Sequence, residues 1–179
     1  VNRLCGSGLQ AIISASQNIL LNDTDIAVAG GAESMSRGGY LLPALRWGQR
    51  MNDGSTVDMM VGALTDPFDN VHMGITAENV AAQWNVSRED QDAFAYASHQ
   101  KALAAIKAGH FTGEISPYDL AINSADLSTG RIISRNHSVV DDEGPRADTS
   151  LEGLAKLKPV FKARGSVTAG NSSQMSDGA

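Results

Sequence analysis

The sequence predicts an α/β core interrupted by a long α+β excursion, and three observations point there. From Leu4 to Asn22 the Cys5 thiol is the only ionisable side chain, while Leu9, Ile12, Ile13, Ser16 and Leu20 recur at helical spacing. Asp25-Ile26-Ala27-Val28-Ala29-Gly30-Gly31 follows as a short apolar run ending in glycines, the pattern of a buried strand. From Arg37 to Asn70, Gly, Pro and Met then mix with no sustained period, as in a long departure from such a core.

Helical patterns return after that stretch. Glu78 to Trp84 predicts a short helix, and Ser87-Arg88-Glu89-Asp90 has the form of an N-cap opening a longer one. Ala95, Ala102, Leu103 and Ile106 give the longer helix an apolar stripe, and Gly109 suits its C-terminal cap. Between Glu114 and Ser138, strand-like runs around Ile115 and Ile132-Ile133 flank the turn sequence Ser128-Thr129-Gly130. Ser150 to Leu157 predicts one more short helix before Pro159, and Val167 to Ala179 heads back to the core. No internal repeat or low-complexity tract is present.

Composition excludes several classes. The 179 residues suit one domain or a little more, and 42% hydrophobic with 19% charged residues is ordinary for a soluble globular chain. A net charge of -6 and a pI near 5.1 disfavour nucleic acid or an anionic membrane as partner. A single cysteine permits no internal disulfide, which points to a reduced, cytoplasmic setting. Gln10, Gln17, Asn18 and several serines make the Leu4 to Asn22 stretch too polar for a membrane span, and no targeting segment is visible. His72, His99, His110 and His137 never approach zinc-ligand spacing, so no metal is expected. Gly30-Gly31 lacks the spacing of a dinucleotide fingerprint, no Walker motif occurs, and Asp141-Asp142-Glu143 reads as a solvated loop.

Cys5 is the chemical focus. At the head of a helix a thiol faces unpaired first-turn amides and the positive end of the macrodipole, which favour the thiolate. Gly6 and Gly8 remove side chains that would otherwise hinder approach to the sulfur. Taken alone, a lone cysteine reads first as a small buried hydrophobe.

Its surroundings are more specific. Val1-Asn2-Arg3-Leu4-Cys5-Gly6-Ser7-Gly8-Leu9-Gln10-Ala11-Ile12, Gly30-Gly31-Ala32-Glu33-Ser34-Met35-Ser36, His72-Met73-Gly74-Ile75-Thr76-Ala77-Glu78-Asn79 and Val167-Thr168-Ala169-Gly170-Asn171-Ser172-Ser173 occur in one order along the chain. Their identity, order and spacing resemble the thiolase family, in particular bacterial acetyl-CoA acetyltransferases and short-chain beta-ketothiolases. The resemblance implies a thiolase-like layered core. Residues 1–36 would be part of the N-terminal core with the nucleophile helix, 37–165 a loop domain covering a coenzyme A site, and 166–179 the return to the core.

The same resemblance implies a function in fatty acid metabolism. Cys5 would carry an acyl group as a thioester during reversible condensation of acetyl-CoA with acyl-CoA, with coenzyme A and acyl-CoA as substrates and no cofactor. Leu64, His72, Met73, Arg146, Phe161, Ala169, Ser172 and Ser173 would contact coenzyme A or its pantetheine arm. As residues alone, Met73 and Phe161 read first as core, and Arg146 as a counter-charge to nearby acids. Gly153 departs from the small polar residue usual at its position. A homo-oligomer, dimer or tetramer, is implied. The family's activating histidine, second cysteine and water-holding asparagine belong to a second half with no match here, so the chain reads as a fragment, inactive alone. A ketoacyl synthase-like condensing enzyme and a non-catalytic acyl-CoA-binding paralogue are the alternatives.

Overall fold

The computed structural model describes residues 1–179. They form two compact units, one of Val1–Val86, Pro159–Val167 and Ser173–Ala179, the other of Ser87–Lys158 and Thr168–Ser172.

In the first unit a 3-10 turn at Leu4–Gly6 leads into helix α1, Ser7–Leu20. Asn22 stops α1 in the left-handed region at φ 58°; its N–H bonds Ile19 O while that of Asp23 reaches Asn18 O, which satisfies the last carbonyls. No residue of α1 is buried. Its close approach is to Gly31, where an added Cβ would lie 3.2 Å from the Gly8 Cα and would press the two backbones apart.

The strand expected at 25–31 is not formed. Residues 26–32 have no ladder partner, and Val28 is 99% exposed. Pairing appears slightly later, where β1, Glu33–Ser34, meets β6, Asp177–Gly178, in antiparallel register Glu33 to Gly178 and Ser34 to Asp177. An apolar run supplies a face, but a strand needs a neighbour to hydrogen-bond. The Asp177 carboxylate strengthens this junction by accepting from the Ser36 N–H at 2.9 Å and the Ser34 hydroxyl at 3.2 Å.

The aperiodic stretch contains short pieces. β2, Tyr40–Leu41, pairs with β3, Val57–Asp58, and Asp58 caps helix α2, Met59–Ala63, by accepting from the Met60 N–H. Helix α3 runs Met73–Trp84, five residues longer at its start than the pattern predicts. His72 is its N-cap, and Asn85 at φ 53° ends it.

The second unit is built on α4, Arg88–Lys107, opened by a full capping box between Ser87 and Asp90. Its end follows the predicted glycine cap: Gly109 adopts φ 74°, with Gly109 N–H to Ile106 O and His110 N–H to Ala105 O. β4, Tyr118–Asp126, and β5, Arg131–Val139, form an antiparallel hairpin, so the first strand begins beyond Ile115, whose N–H instead bonds Phe111 O. α5, Leu151–Ala155, is capped by the Ser150 hydroxyl. Leu154 and the fully buried Thr168 sit at this unit's centre.

Candidate active site

Cys5 lies exposed in the 3-10 turn that precedes α1. The residue before it, Leu4, has φ 51°, a left-handed conformation that costs a non-glycine residue about 1–3 kcal/mol and persists only where its surroundings enforce it. Here they do. Asn2 Oδ1 accepts from the Leu4 N–H at 2.9 Å, the Ser7 hydroxyl donates to Leu4 O at 2.8 Å and accepts from the Arg3 N–H at 2.9 Å, and Gly6 N–H bonds Arg3 O. The polar residues around Cys5 thus hold a sharp entry into an uncharged helix, with the thiol in solvent.

Still within the first unit, four sequence-predicted residues converge. Met73 N–H donates to Leu64 O at 2.8 Å, and Thr65 bridges His72, closing the 64–73 loop. His72 Nδ1 accepts from Gly74 N–H at 3.0 Å, which leaves Nε2 as the protonated nitrogen of the neutral ring. Phe161 stacks on the His72 ring at 4.8 Å between centroids. The ring of Phe161 also covers Gly74, where a Cβ would lie 2.3 Å from ring carbons, so any larger residue expels it. Leu64 and Met73 are thus joined through their backbones and His72 and Phe161 through their rings, with Met73 partly exposed. Ser173 is exposed, its hydroxyl donating to Gln174 O.

About one turn along α3 from Gly74 is Glu78, which sequence reasoning missed. It is buried, and its carboxylate accepts from Ser166 N–H at 2.9 and 3.0 Å, from Val167 N–H at 2.8 Å and from the Ser166 hydroxyl at 3.2 Å. Burial pushes its pKa up, but the Val167 and Ser166 hydrogen bonds and the Lys162 charge together hold it below the ordinary 4.5. Glu78 fastens the 160–167 hairpin, closed by Val160 N–H to Val167 O, to α3. The available signal was its place four residues after Gly74, on the same helix face.

In the second unit Arg146 is exposed. Its guanidinium grips Asp148 with both prongs, Nε at 3.1 Å and NH2 at 2.8 Å, and its backbone N–H meets His99 Nδ1. The counter-charge is Asp148, which the sequence reading did not single out; Arg146 hydrogen bonding and charge hold Asp148 below its ordinary value. Ala169 and Ser172 lie on a tight turn, where the Ser172 hydroxyl donates to Thr168 O at 2.7 Å. Gly153 N–H donates to the Ser150 hydroxyl at the start of α5, and there is no side chain to add a further contact. Arg88, Asp92 and Asn171, also missed, tie that turn to α4 and α5. No group of three or more His, Cys, Asp or Glu side chains is placed to hold a metal ion, and no helix is long and apolar enough to cross a membrane.

Comparison with known proteins matches this whole chain. The family described as thiolase, N-terminal domain, matches residues 1–179. The beta-ketothiolase BktB of Cupriavidus necator is 54% identical over 180 residues, which cover 100% of this chain and 43% of that protein. An acetyl-CoA acetyltransferase of Allochromatium vinosum is 49% identical over 181 residues, with the same two shares, 100% and 43%. Among solved structures, the Bacillus anthracis acetyl-CoA acetyltransferase superposes with a TM-score of 0.89 at 42% identity, covering 99% of this chain and 42% of that one. The human mitochondrial 3-ketoacyl-CoA thiolase in complex with CoA gives 0.80 at 36% identity, covering 94% of this chain and 39% of that one. The chain spans less than half the length of these relatives.

Proposed function

This chain belongs to the thiolase family, and from that premise we propose that its natural protein is an acyltransferase in which Cys5 carries the acyl group. The observation that carries the proposal is an exposed thiol, held by a strained and hydrogen-bonded turn at the mouth of an uncharged helix. In the condensing direction the Cys5 thiolate adds to the carbonyl of acetyl-CoA. Coenzyme A leaves as its thiolate, and an acetyl-cysteine remains. A second acetyl-CoA gives up an α-proton to a base outside residues 1–179. Its carbanion attacks the acetyl-cysteine, forming the 3-ketoacyl-CoA and releasing the Cys5 thiolate. Thiolysis is the same sequence in reverse. The Cys5 backbone N–H, at the open end of the helix, would donate to the developing oxyanion, a contribution of about 3 kcal/mol.

For coenzyme A recognition we assign contacts unit by unit. In the first, Leu64, His72, Met73 and Phe161 suit the apolar part of a pantetheine arm, and Ser173 offers a hydroxyl to its amides. In the second, Ala169 and Ser172 present backbone and hydroxyl groups, and Arg146 offers a fork that a phosphate would take from the solvent-screened Asp148.

The test is direct. When the natural protein is mixed with acetyl-CoA and digested, mass spectrometry is expected to find the acetyl group on the peptide containing Cys5, and Cys5→Ser is expected to abolish the label. Acetylation elsewhere with Cys5 free overturns the proposal.

A further inference from the structure

We propose that Asp92 is a positioning residue, holding the Thr168–Ser172 turn through Asn171 so that Ala169 and Ser172 are presented to the thioester substrate; this rests on the coenzyme A reading above. Asp92 stands in the second turn of α4 and is 5% exposed. A carboxylate buried that far must be paired and hydrogen-bonded to be tolerated. One oxygen, Oδ2, accepts from Arg88 Nε at 2.7 Å, and the other, Oδ1, accepts from Asn171 Nδ2 at 3.0 Å. The remaining reach of Arg88 goes to α5, where its NH2 donates to Leu154 O at 2.6 Å and Leu157 O at 3.0 Å. Leu154 lies in the last turn of α5, where a cation is favoured, and Leu157 lies just beyond the helix.

Asn171 acts as an adapter. Its amide nitrogen faces the carboxylate, and its oxygen accepts from the Thr168 N–H at 2.8 Å, so its orientation is dictated at both ends. Thr168 is fully buried, its hydroxyl accepts from Gly170 N–H at 3.2 Å, and its carbonyl accepts from the Ser172 hydroxyl. Gly170 presses the turn onto α5: a Cβ there would come within 2.5 Å of Leu154 and Leu157 side-chain carbons. The turn is thus pinned from the side by Asp92 and from below by α5, while Ala169 and Ser172 remain exposed. Nothing in the proposed chemistry uses Asp92 itself, which accounts for a buried charge far along the sequence from the turn it serves.

The polarity of the tie allows a swap. In Asn171→Asp two carboxylates would face each other, and the turn would shift. Adding Asp92→Asn restores the bond with its donor reversed, since the new amide can donate to position 171 while its oxygen still accepts from Arg88. Steady-state thiolysis of acetoacetyl-CoA by the natural protein and its variants, with coenzyme A varied, reads the effect. Asn171→Asp is expected to raise KM for coenzyme A by about tenfold or more with a smaller change in kcat, and the swap to return KM to within about threefold of the natural value, as for directly coupled pairs. An unchanged KM in Asn171→Asp, or a swap that melts like the natural protein without recovering KM, overturns the proposal. If Asn171→Asp does not accumulate, Asn171→Ala is measured in its place, with the same KM rise expected and an unchanged KM overturning the tie. Should the natural protein neither turn over nor bind coenzyme A, the functional reading fails. Amide hydrogen exchange at Thr168 then decides the tie by itself, accelerated in the single variant and restored in the swap, or equal in all and the tie refuted.

Discussion

Glu78 shows how much of this molecule is settled by single polar groups set against apolar ones. It is 5% exposed, and Gly165 is a glycine because a Cβ there would collide with the carboxylate. The Val167 and Ser166 donors outweigh burial and keep its pKa depressed below 4.5. A depressed folded-state pKa stabilises the fold fully above the ordinary value, and that contribution is lost as pH falls through the folded value. Glu78→Gln is therefore expected to lower stability by about 1–3 kcal/mol near neutral pH, because one amide N–H would face the Ser166 N–H. The gap from the natural protein should narrow as pH falls below the ordinary 4.5 and close below the folded value. Melting temperatures across the acid range check this, and a gap that stays constant with pH would refute it. Leu4 belongs at the same scale. Its positive φ was invisible in the sequence, since leucine carries no signal for a left-handed residue, and only the Asn2 and Ser7 bonds explain it.

At the scale of elements, local chemistry was the part most open to sequence reasoning. The Ser87–Asp90 capping box and the Gly109 terminus of α4 lie where the pattern put them, because caps are satisfied within one turn. Ser87→Ala is expected to cost about 1 kcal/mol, seen as a lower denaturant midpoint with an unchanged slope. A midpoint within error of the natural protein's would show that the cap is redundant. The β4–β5 turn is equally local. Asp126 accepts from the Ser128 and Thr129 hydroxyls and the Ser128 N–H, which lower its pKa to about 2, while Gly130 takes φ 66°. The start of α3 was not legible, because its cap is a histidine ring nitrogen rather than a hydroxyl or carboxylate.

For the whole molecule, the decisive fact is how little apolar surface residues 1–179 bury. Leu154 and Val167 are the buried hydrophobic side chains, while Leu20 in α1 is 80% exposed. The accessible surface is 14646 Å² for 18.8 kDa, against about 8,300 Å² expected of a folded monomer of that mass. As an isolated polypeptide, residues 1–179 are expected to bind a hydrophobic dye strongly, to melt without a sharp cooperative transition and to show no thiolysis of acetoacetyl-CoA. A sharp calorimetric endotherm with little dye bound would refute this.

The sequence by itself determined the family, the reactive-looking cysteine, the caps of α4, the presence of α5 and the turn of the hairpin. Each of these is carried by residues close together in the chain or by motifs with characteristic identities. Tertiary structure alone decided the rest: that Phe161 lies on His72 and Gly74, that Glu78 and Asp92 are buried beneath the segments they hold, and that Ile26 to Gly31 forms no strand. The reason is physical. A cap or turn closes on its own neighbours, whereas a buried carboxylate or a strand is defined by a partner many residues away, and no local pattern encodes who that partner is.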